Sequence, residues 1–554
     1  MNTLFRIAFG DYEFVLDRTS LTYSLTETVT NTMWATELSL GWIELKERET
    51  GTITRTDFGD CKLISIAEKM GAAGKRILLG LDAPGGVPVD IYLICGQKEI
   101  QLTVEASRDS KTHTLEKIGL LPGLCHAETG GYLVLPQGEG RVLRPEDFAP
   151  KYLNETKWSL PIWEVYDGLT MPFIGAVKSD SAIALLTDSV YGFAEIDITG
   201  EILSTGWVYE NDPERRRLDI RLVLIPQGDY ISIAKTYRDK LIQERNHITL
   251  RKKLRENPAL ELIIGKAFVD QDVPISQPFK WVKDLTAIRG DRSTLEVFGQ
   301  ENLPAILAIS FLAHCLYYLA DDTIHWDDAN ERICRWDRME HRLKLIEKAH
   351  EEFPVVGISQ SWGDWSAFAI DFCLDLEELF YHPSIFLKNP VPLNSVIWRD
   401  SVIFPYIIYA EEPHGFLHAL LRISPPYFNH SHEFSEEFYN AVSGVLCPLH
   451  ALTFPAFLTA HKFLTPDFLV EEALYSDKTR VMINQSETEA YDAGEFLLPP
   501  GGFHVRHAQF EAHDALRVGT VDFPTRAWRV RRSLDGKPLE QSESIEEREF
   551  EVSL

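Results

Sequence analysis

Two places in the sequence put carboxyl and amide groups where a reacting bond could sit between them. At 355–365 an apolar run, VVGI, gives way to Ser359-Gln360 and then to Trp362-Gly363-Asp364-Trp365. At 315–322 the run CLYYLADD ends in Asp321-Asp322. Carboxylates at the ends of neighbouring buried strands are what cleavage of a glycosidic bond requires: one attacks or stabilises the anomeric carbon, and another protonates the leaving oxygen. Two acids after a strand also suit the N-cap of the next helix, so spacing alone leaves both roles open. Gln360 can hydrogen-bond an oxygen but has no proton to transfer, which leaves Asp364 as the nearest acid in that stretch. Trp362 and Trp365 offer faces on which a sugar could stack, or bulk to fill the mouth of a barrel.

The elements that would position these residues follow from hydrophobic period. From residue 1 to about 245, short alternating runs such as EFVLDRT, CKLISIAEK, VDIYLICG, IQLTVEAS, AIALLTD and LDIRLVLIPQG read as strands of a large antiparallel β-sandwich. The absence of a repeat of 20–50 residues argues against a propeller or solenoid. Over 229–258 the spacing turns helical and predicts one connecting helix that stops at Asn257-Pro258. Beyond it, strand and helix alternate: a strand at 259–268, a helix over much of 301–315, the strand LYYLAD, a helix at 336–353 and the strand PVVGIS. That order predicts a parallel sheet, with a (β/α) barrel over 246–470 as first choice. In such a barrel, functional side chains stand at the C-terminal strand ends, where Asp321, Asp322 and Gln360 fall. From 471 to 554 strands return around a Pro-Pro-Gly-Gly turn and predict a C-terminal β domain, with the acidic last twenty or so residues loosely ordered in part.

Composition narrows the classes. The 554 residues carry a formal charge of −28, which opposes a nucleic-acid partner, because that affinity needs clustered Lys and Arg. Seven dispersed cysteines form no CxxC pair, so neither a zinc knuckle nor a disulfide framework is expected, and reduced thiols in a cytoplasm are the simplest account. The N-terminal residues lack a signal-peptide core. The least polar stretch, 303–320, is interrupted by Pro304, Ser310 and His314, and reads as a buried helix running into a buried strand rather than a membrane span. No Gly-rich phosphate loop or GxSxG elbow occurs, and no cofactor is implied. His430, His432 and Glu433 in FNHSHEF have metal-like spacing without a third ligand motif, so a polar loop is expected and no metal site. Asp400, in VIWRDS after an expected strand, suits a sugar-hydroxyl acceptor or a partner of Arg399. The oligomeric state cannot be read.

From about residue 171 onward the chain resembles bacterial proteins related to glycoside hydrolase families 101 and 129, which act on α-linked N-acetylgalactosamine. The stretches that carry the resemblance are MPFIGAV (171–177), PQGDYISIAKTYRDKL (226–241), NPALELIIGKA (257–267), SQSWGDWSAFAIDF (359–372), VPLNSVIWRDSV (391–402), HKFLTPDFLVEEALYSDKTRVMIN (461–484) and LLPPGGFHV (497–505). The resemblance implies an N-terminal β-supersandwich, a central (β/α) barrel and a C-terminal β-sandwich, with a carbohydrate as partner. It implies a nucleophile at Asp321 or Asp322, the choice blurred by the inserted Ala320, and an acid/base glutamate in a Ser-Glu-x-Gly-x-Asp-Trp pattern. Here that pattern reads Ser359-Gln360-Ser361-Trp362-Gly363-Asp364-Trp365, so Gln360 replaces the expected glutamate and Trp362 the expected glycine. Between LIIGKAF and LYYLAD the chain has only about fifty residues, where the family carries several barrel units, and the barrel is expected to be incomplete or altered.

Overall fold

The computed structural model describes residues 4–552 apart from 72–73, 107–109, 129, 148–156, 163–167, 180, 190–191, 200–201, 211–216, 270–280, 283–285, 291–294, 299–304, 308–342, 345, 348, 352, 360–362, 375–389 and 429–433. The protein is mostly β, with several sheets and few helices among the described residues. It divides into two compact units, one of Met1–Asp239 with Tyr381–Leu393 and the other of Lys240–Phe380 with Asn394–Leu554.

In the first unit, the period-two runs form the strands their patterning demands. Val87–Cys95 and Glu99–Ala106 alternate buried and less buried residues along their length, as a sheet with one face on a core requires. Strands assemble into an antiparallel four-stranded meander over Leu4–Ser39, a nine-stranded sheet and a six-stranded sheet. Ile91 and Leu102 from the nine-stranded sheet and Ile43, Leu120 and Trp207 from the six-stranded one belong to one continuous core. Gly119, in the strand His113–Ala127, lies under the indole of Trp42; a Cβ there would come within 2.1 Å of the ring.

The chain after residue 229 corrects several sequence expectations. The single connecting helix is two, α1 (Tyr230–Gln243) and α2 (Leu250–Glu256). Arg245 leaves the helical region at φ 62°, and Thr249 opens α2 by accepting a hydrogen bond from Lys252 N. The strand expected at 259–268 begins only at Ala267, because Asn257 caps a 3₁₀ turn, Pro258–Leu262, with proline at its first position. Within the expected 301–315 helix, Ala305–Leu307 is instead a strand, held by parallel neighbours on both sides; the rest of that segment, and the LYYLAD strand, lie outside the described residues. No helix of the described residues is long and apolar enough to cross a membrane.

The short strands of the second unit pair in parallel. Thr286–Gly290 pairs with Ala305–Leu307, that with Val356–Ser359, and that with Phe372–Leu374; Phe372 in turn bridges Ile403. On the other side Tyr406–Ile408 pairs with Pro426–Phe428, which pairs with Ala267–Val269, itself paired with Trp281–Val282. The last of these strands in the chain thus lies beside the first. Leu295–Phe298 runs antiparallel to Thr286–Gly290.

Further helices of the described residues include α3 (Leu393–Ile397), α4 (Pro413–Arg422) and α5 (Glu436–Thr453). A seven-stranded and a four-stranded antiparallel sheet make up the C-terminal part. Phe416 of α4 stacks on Trp528 at 4.0 Å and meets Phe503 edge-on at 5.1 Å, fixing the helix on the larger sheet. The acidic tail is ordered rather than loose: Ile545–Phe550 pairs with Trp528–Ser533, and Glu546, Glu547 and Glu549 face Arg532, Arg531 and Arg529 at 2.7, 3.0 and 3.0 Å.

One buried side chain closes the ends of α4 and α5 together. The Arg399 guanidinium donates to the carbonyls of Arg422 (3.0 Å) and Ile423 (3.2 Å) at the end of α4, and to that of Thr453 (2.7 Å) at the end of α5. It also donates to Ala456 O and to Thr453 Oγ1. The last carbonyls of a helix lack intrahelical partners and carry its negative dipole end, so a fixed cation with five donors satisfies both helices at once. Tyr475 Oη donates to Leu421 O at 2.6 Å. Replacing Arg399 by Met is expected to destabilise the fold by about 3 kcal/mol or more, because several buried carbonyls lose their donor at once, with Lys recovering only part because it lacks the planar fork. Denaturant midpoints of the two variants check this.

Candidate functional site

The strand Val356–Ser359 is the natural centre of the site. Val356 and Ile358 are fully buried, and the strand has parallel neighbours on both sides. At Gly357 the ring of Phe372 from the adjoining strand lies so close that a Cβ would meet it at 2.4 Å, so glycine is what lets these two strands approach. The chain leaving the strand passes through 360–362, outside the described residues, and re-enters at Gly363, whose extended backbone (φ −159°, ψ 149°) precedes a 3₁₀ turn, Asp364–Ser366. Ser366 N and Oγ both donate to Gly363 O, at 3.0 and 2.8 Å. Asp364 and Trp365 therefore sit on this 3₁₀ turn, and both are buried, at 9% and 7% exposure.

Of the expected site residues, Asp364 and Trp365 are neighbours on the 3₁₀ turn, and Asp400 is tied to His247 and α2. Asp321, Asp322, Gln360 and Trp362 lie outside the described residues, as do His430, His432 and Glu433. Asp400 follows α3 rather than a strand. Its carboxylate lies 3.3 Å from His247 Nε2, and its carbonyl accepts from Leu250 N at 2.6 Å. The His247 ring stacks on Trp398 at 5.3 Å and also contacts Ile397 O. At 4% exposure, Asp400 ties the start of α2 to the end of α3 and is withdrawn from solvent. Arg399, its expected partner, is committed to the helix ends. No group of three or more His, Cys, Asp or Glu able to hold a metal ion occurs among the described residues.

Sequence reading passed over the residue that holds the 363–371 segment in place. Lys253, one of several basic residues in α2, is buried, and its ammonium donates to Ala367 O (3.0 Å) and Ile370 O. Asp371 closes the other side: its Oδ2 accepts from Val356 N at 3.0 Å, and its backbone pairs with Val356 and Ile403. His350 Nε2 contacts Ala369 O at 2.8 Å. Burial pushes the Lys253 ammonium down to about 8 despite Asp371, and burial raises the Asp371 carboxyl above its usual range despite Lys253 and His350. The only sequence sign was the cluster of cations after Thr249; which of them turns inward depends on a segment more than a hundred residues away.

No protein-family model matches the chain, and no curated protein matches it. Among solved structures, it is similar to α-N-acetylgalactosaminidase NagBb from Bifidobacterium bifidum in complex with GalNAc, at 15% identity and a TM-score of 0.64 over 87% of this chain and 98% of that one. It is similar to the ligand-free form of that enzyme, at 15% identity and a TM-score of 0.63, and to its Gal-NHAc-DNJ complex, at 14% and 0.64, with the same coverage. At such identity the likeness is one of fold. It extends over nearly the whole of that enzyme's chain, and to that extent bears out the relation read from the sequence.

Lys253 yields a signed expectation. Its folded pKa of about 8 lies below the ordinary lysine value near 10.4, so between these pH values the unfolded chain binds a proton that the folded chain does not. Stability contributed by this group therefore rises as pH increases from about 8 to about 10.4. Lys253→Met is expected to cost about 1–3 kcal/mol at neutral pH through two unmet buried carbonyls. Denaturation at a series of pH values should show the native-minus-variant difference growing across that window.

Proposed function

We propose that this protein is a glycoside-hydrolase-like protein that binds α-linked N-acetylgalactosaminide-type glycans and whose hydrolysis is impaired by Gln360. The observation that carries the reading is the position of residues 360–365, directly after the C-terminal end of the strand Val356–Ser359 with its parallel neighbours on both sides. Functional groups of parallel barrels stand at such strand ends. We read the parallel strands between Ala267 and Phe428 as a (β/α) barrel, following a β-supersandwich at 1–245 and preceding a β domain at 471–554. The parallel pairing of the last strand with the first, and the parallel run from Thr286–Gly290 to Phe372–Leu374, support this. The fold likeness to α-N-acetylgalactosaminidase structures supports the substrate class. Described cysteines that are free and buried support a reducing, cytoplasmic setting.

The chemistry assigned is specific. Asp321 or Asp322 is the nucleophile, and Gln360 occupies the acid/base position, where an amide can hydrogen-bond the glycosidic oxygen without protonating it. That proton typically contributes about 10²–10⁴ in rate, most for sugar alkoxides and least for activated aryl leaving groups. Trp362 and Trp365 are assigned as the rings on which a sugar face would stack. A second reading makes Asp364 the substitute acid; its burial on the 3₁₀ turn Asp364–Ser366 weighs against a group that must reach both glycosidic oxygen and water.

Hydrolysis of an aryl α-N-acetylgalactosaminide by the native chain and by Gln360→Glu tests the proposal. Slow or absent turnover by the native chain, rising by about 10²-fold or more in Gln360→Glu, is expected. Efficient native turnover that Asp364→Ala abolishes would transfer the acid/base role to Asp364. Absence of both binding and turnover of this sugar, in native and variant alike, would remove the substrate class.

A further inference from the structure

The first unit holds a carboxylate that no described residue neutralises. Glu27, the last residue of the strand Thr22–Glu27, is fully buried, and neither of its side-chain oxygens has a hydrogen-bond partner among the described residues. Directly across the strand pair stands Tyr12, 2% exposed, its hydroxyl also buried without a partner. Burial first, and then the nearby Glu27 charge, hold the Tyr12 hydroxyl above its ordinary value. Ser181, at the start of the strand Ser181–Thr187, is fully buried, and its hydroxyl, close to that of Tyr12, also has no hydrogen-bond partner among the described residues.

These three side chains come from two sheets and present only oxygen. A cation close in the chain, Lys178, lies opposite Ser181 in its hairpin, but its ammonium is engaged with Met33 O, His126 and Glu128. A buried carboxylate without a counter-charge is costly, far more so than an unpaired hydroxyl. Hard oxygen donors suit hard cations, and divalent ions of that kind are ordinarily held by several carboxylates. Here there is one formal charge and two neutral hydroxyls.

We propose that Glu27, Tyr12 and Ser181 form a buried site for a monovalent alkali cation, Na⁺ or K⁺, which fastens the N-terminal meander to the nine-stranded sheet. The site is separate from the glycan reading and stands or falls without it.

Thermal unfolding of the full chain in NaCl, in KCl and in N-methylglucamine chloride at equal ionic strength provides the test. An alkali cation that fits the site should raise the midpoint by about 2–4 °C over the bulky organic cation. Glu27→Gln should abolish that difference, and Ser181→Ala should shift it to higher cation concentration. Coincident midpoints in all three salts for the native chain would overturn the proposal, as would a difference that persists unchanged in Glu27→Gln. Should Glu27→Gln fail to fold, an unaltered concentration dependence in Ser181→Ala overturns it equally.

Discussion

The second unit depends on a guanidinium with no access to water. Arg399 meets the C-terminal ends of α4 and α5, where backbone carbonyls outnumber the N–H groups available to them, and it does so beside His450. Burial and then the Arg399 charge push the His450 imidazole well below its ordinary value. A neutral ring can then accept, as Nδ1 does from Gly265 N at 3.0 Å. Ile423, a β-branched residue at φ 50°, keeps that unfavourable conformation while its carbonyl is held by Arg399 and its N–H by Ala419 and Leu420. A cation, a neutral histidine and a left-handed isoleucine thus form one interdependent arrangement, and the turn leading from α4 into the strand Pro426–Phe428 starts from it.

A similar economy governs the segment after Val356–Ser359. Its backbone turns back under Lys253 and Asp371, which hold carbonyls and N–H groups rather than each other alone. The segment that begins with the Gln360 stretch is therefore anchored at its far end. Residues 364–371, held by these bonds, have little freedom to swing Asp364 toward a different position.

How much of this was legible depends on range. Strands such as Val87–Cys95 and Arg217–Pro226 announce themselves, because nine or ten residues of alternation leave one face for the core. The parallel strands of the second unit are often only three residues long, too short for any period to show, so their order rather than their pattern was readable. Asn257-Pro258 was taken as the end of a helix and the start of a strand, when local capping made a 3₁₀ turn first. Asp364 was found because it is near Gln360 in sequence. The partners of Lys253, Arg399 and Asp400 are remote in sequence, and no local pattern could tell these charges from solvated ones. The acidic tail misled for the opposite reason: its composition reads as disorder until the arginines of Trp528–Ser533 are set beside it.

That tail strand is also the last in its sheet. A free β edge is a template on which another chain can add a strand, and charge along it is one of the means by which soluble proteins refuse that addition. Ile545–Phe550 carries four formal acids and bases in its centre, Glu546, Glu547, Arg548 and Glu549, with the arginines opposite already occupied. Another copy approaching this edge meets a row of charged, already ion-paired side chains on a protein that is itself at −28. The segment that looked like a loose end is therefore an edge on which a further strand would have to desolvate charge.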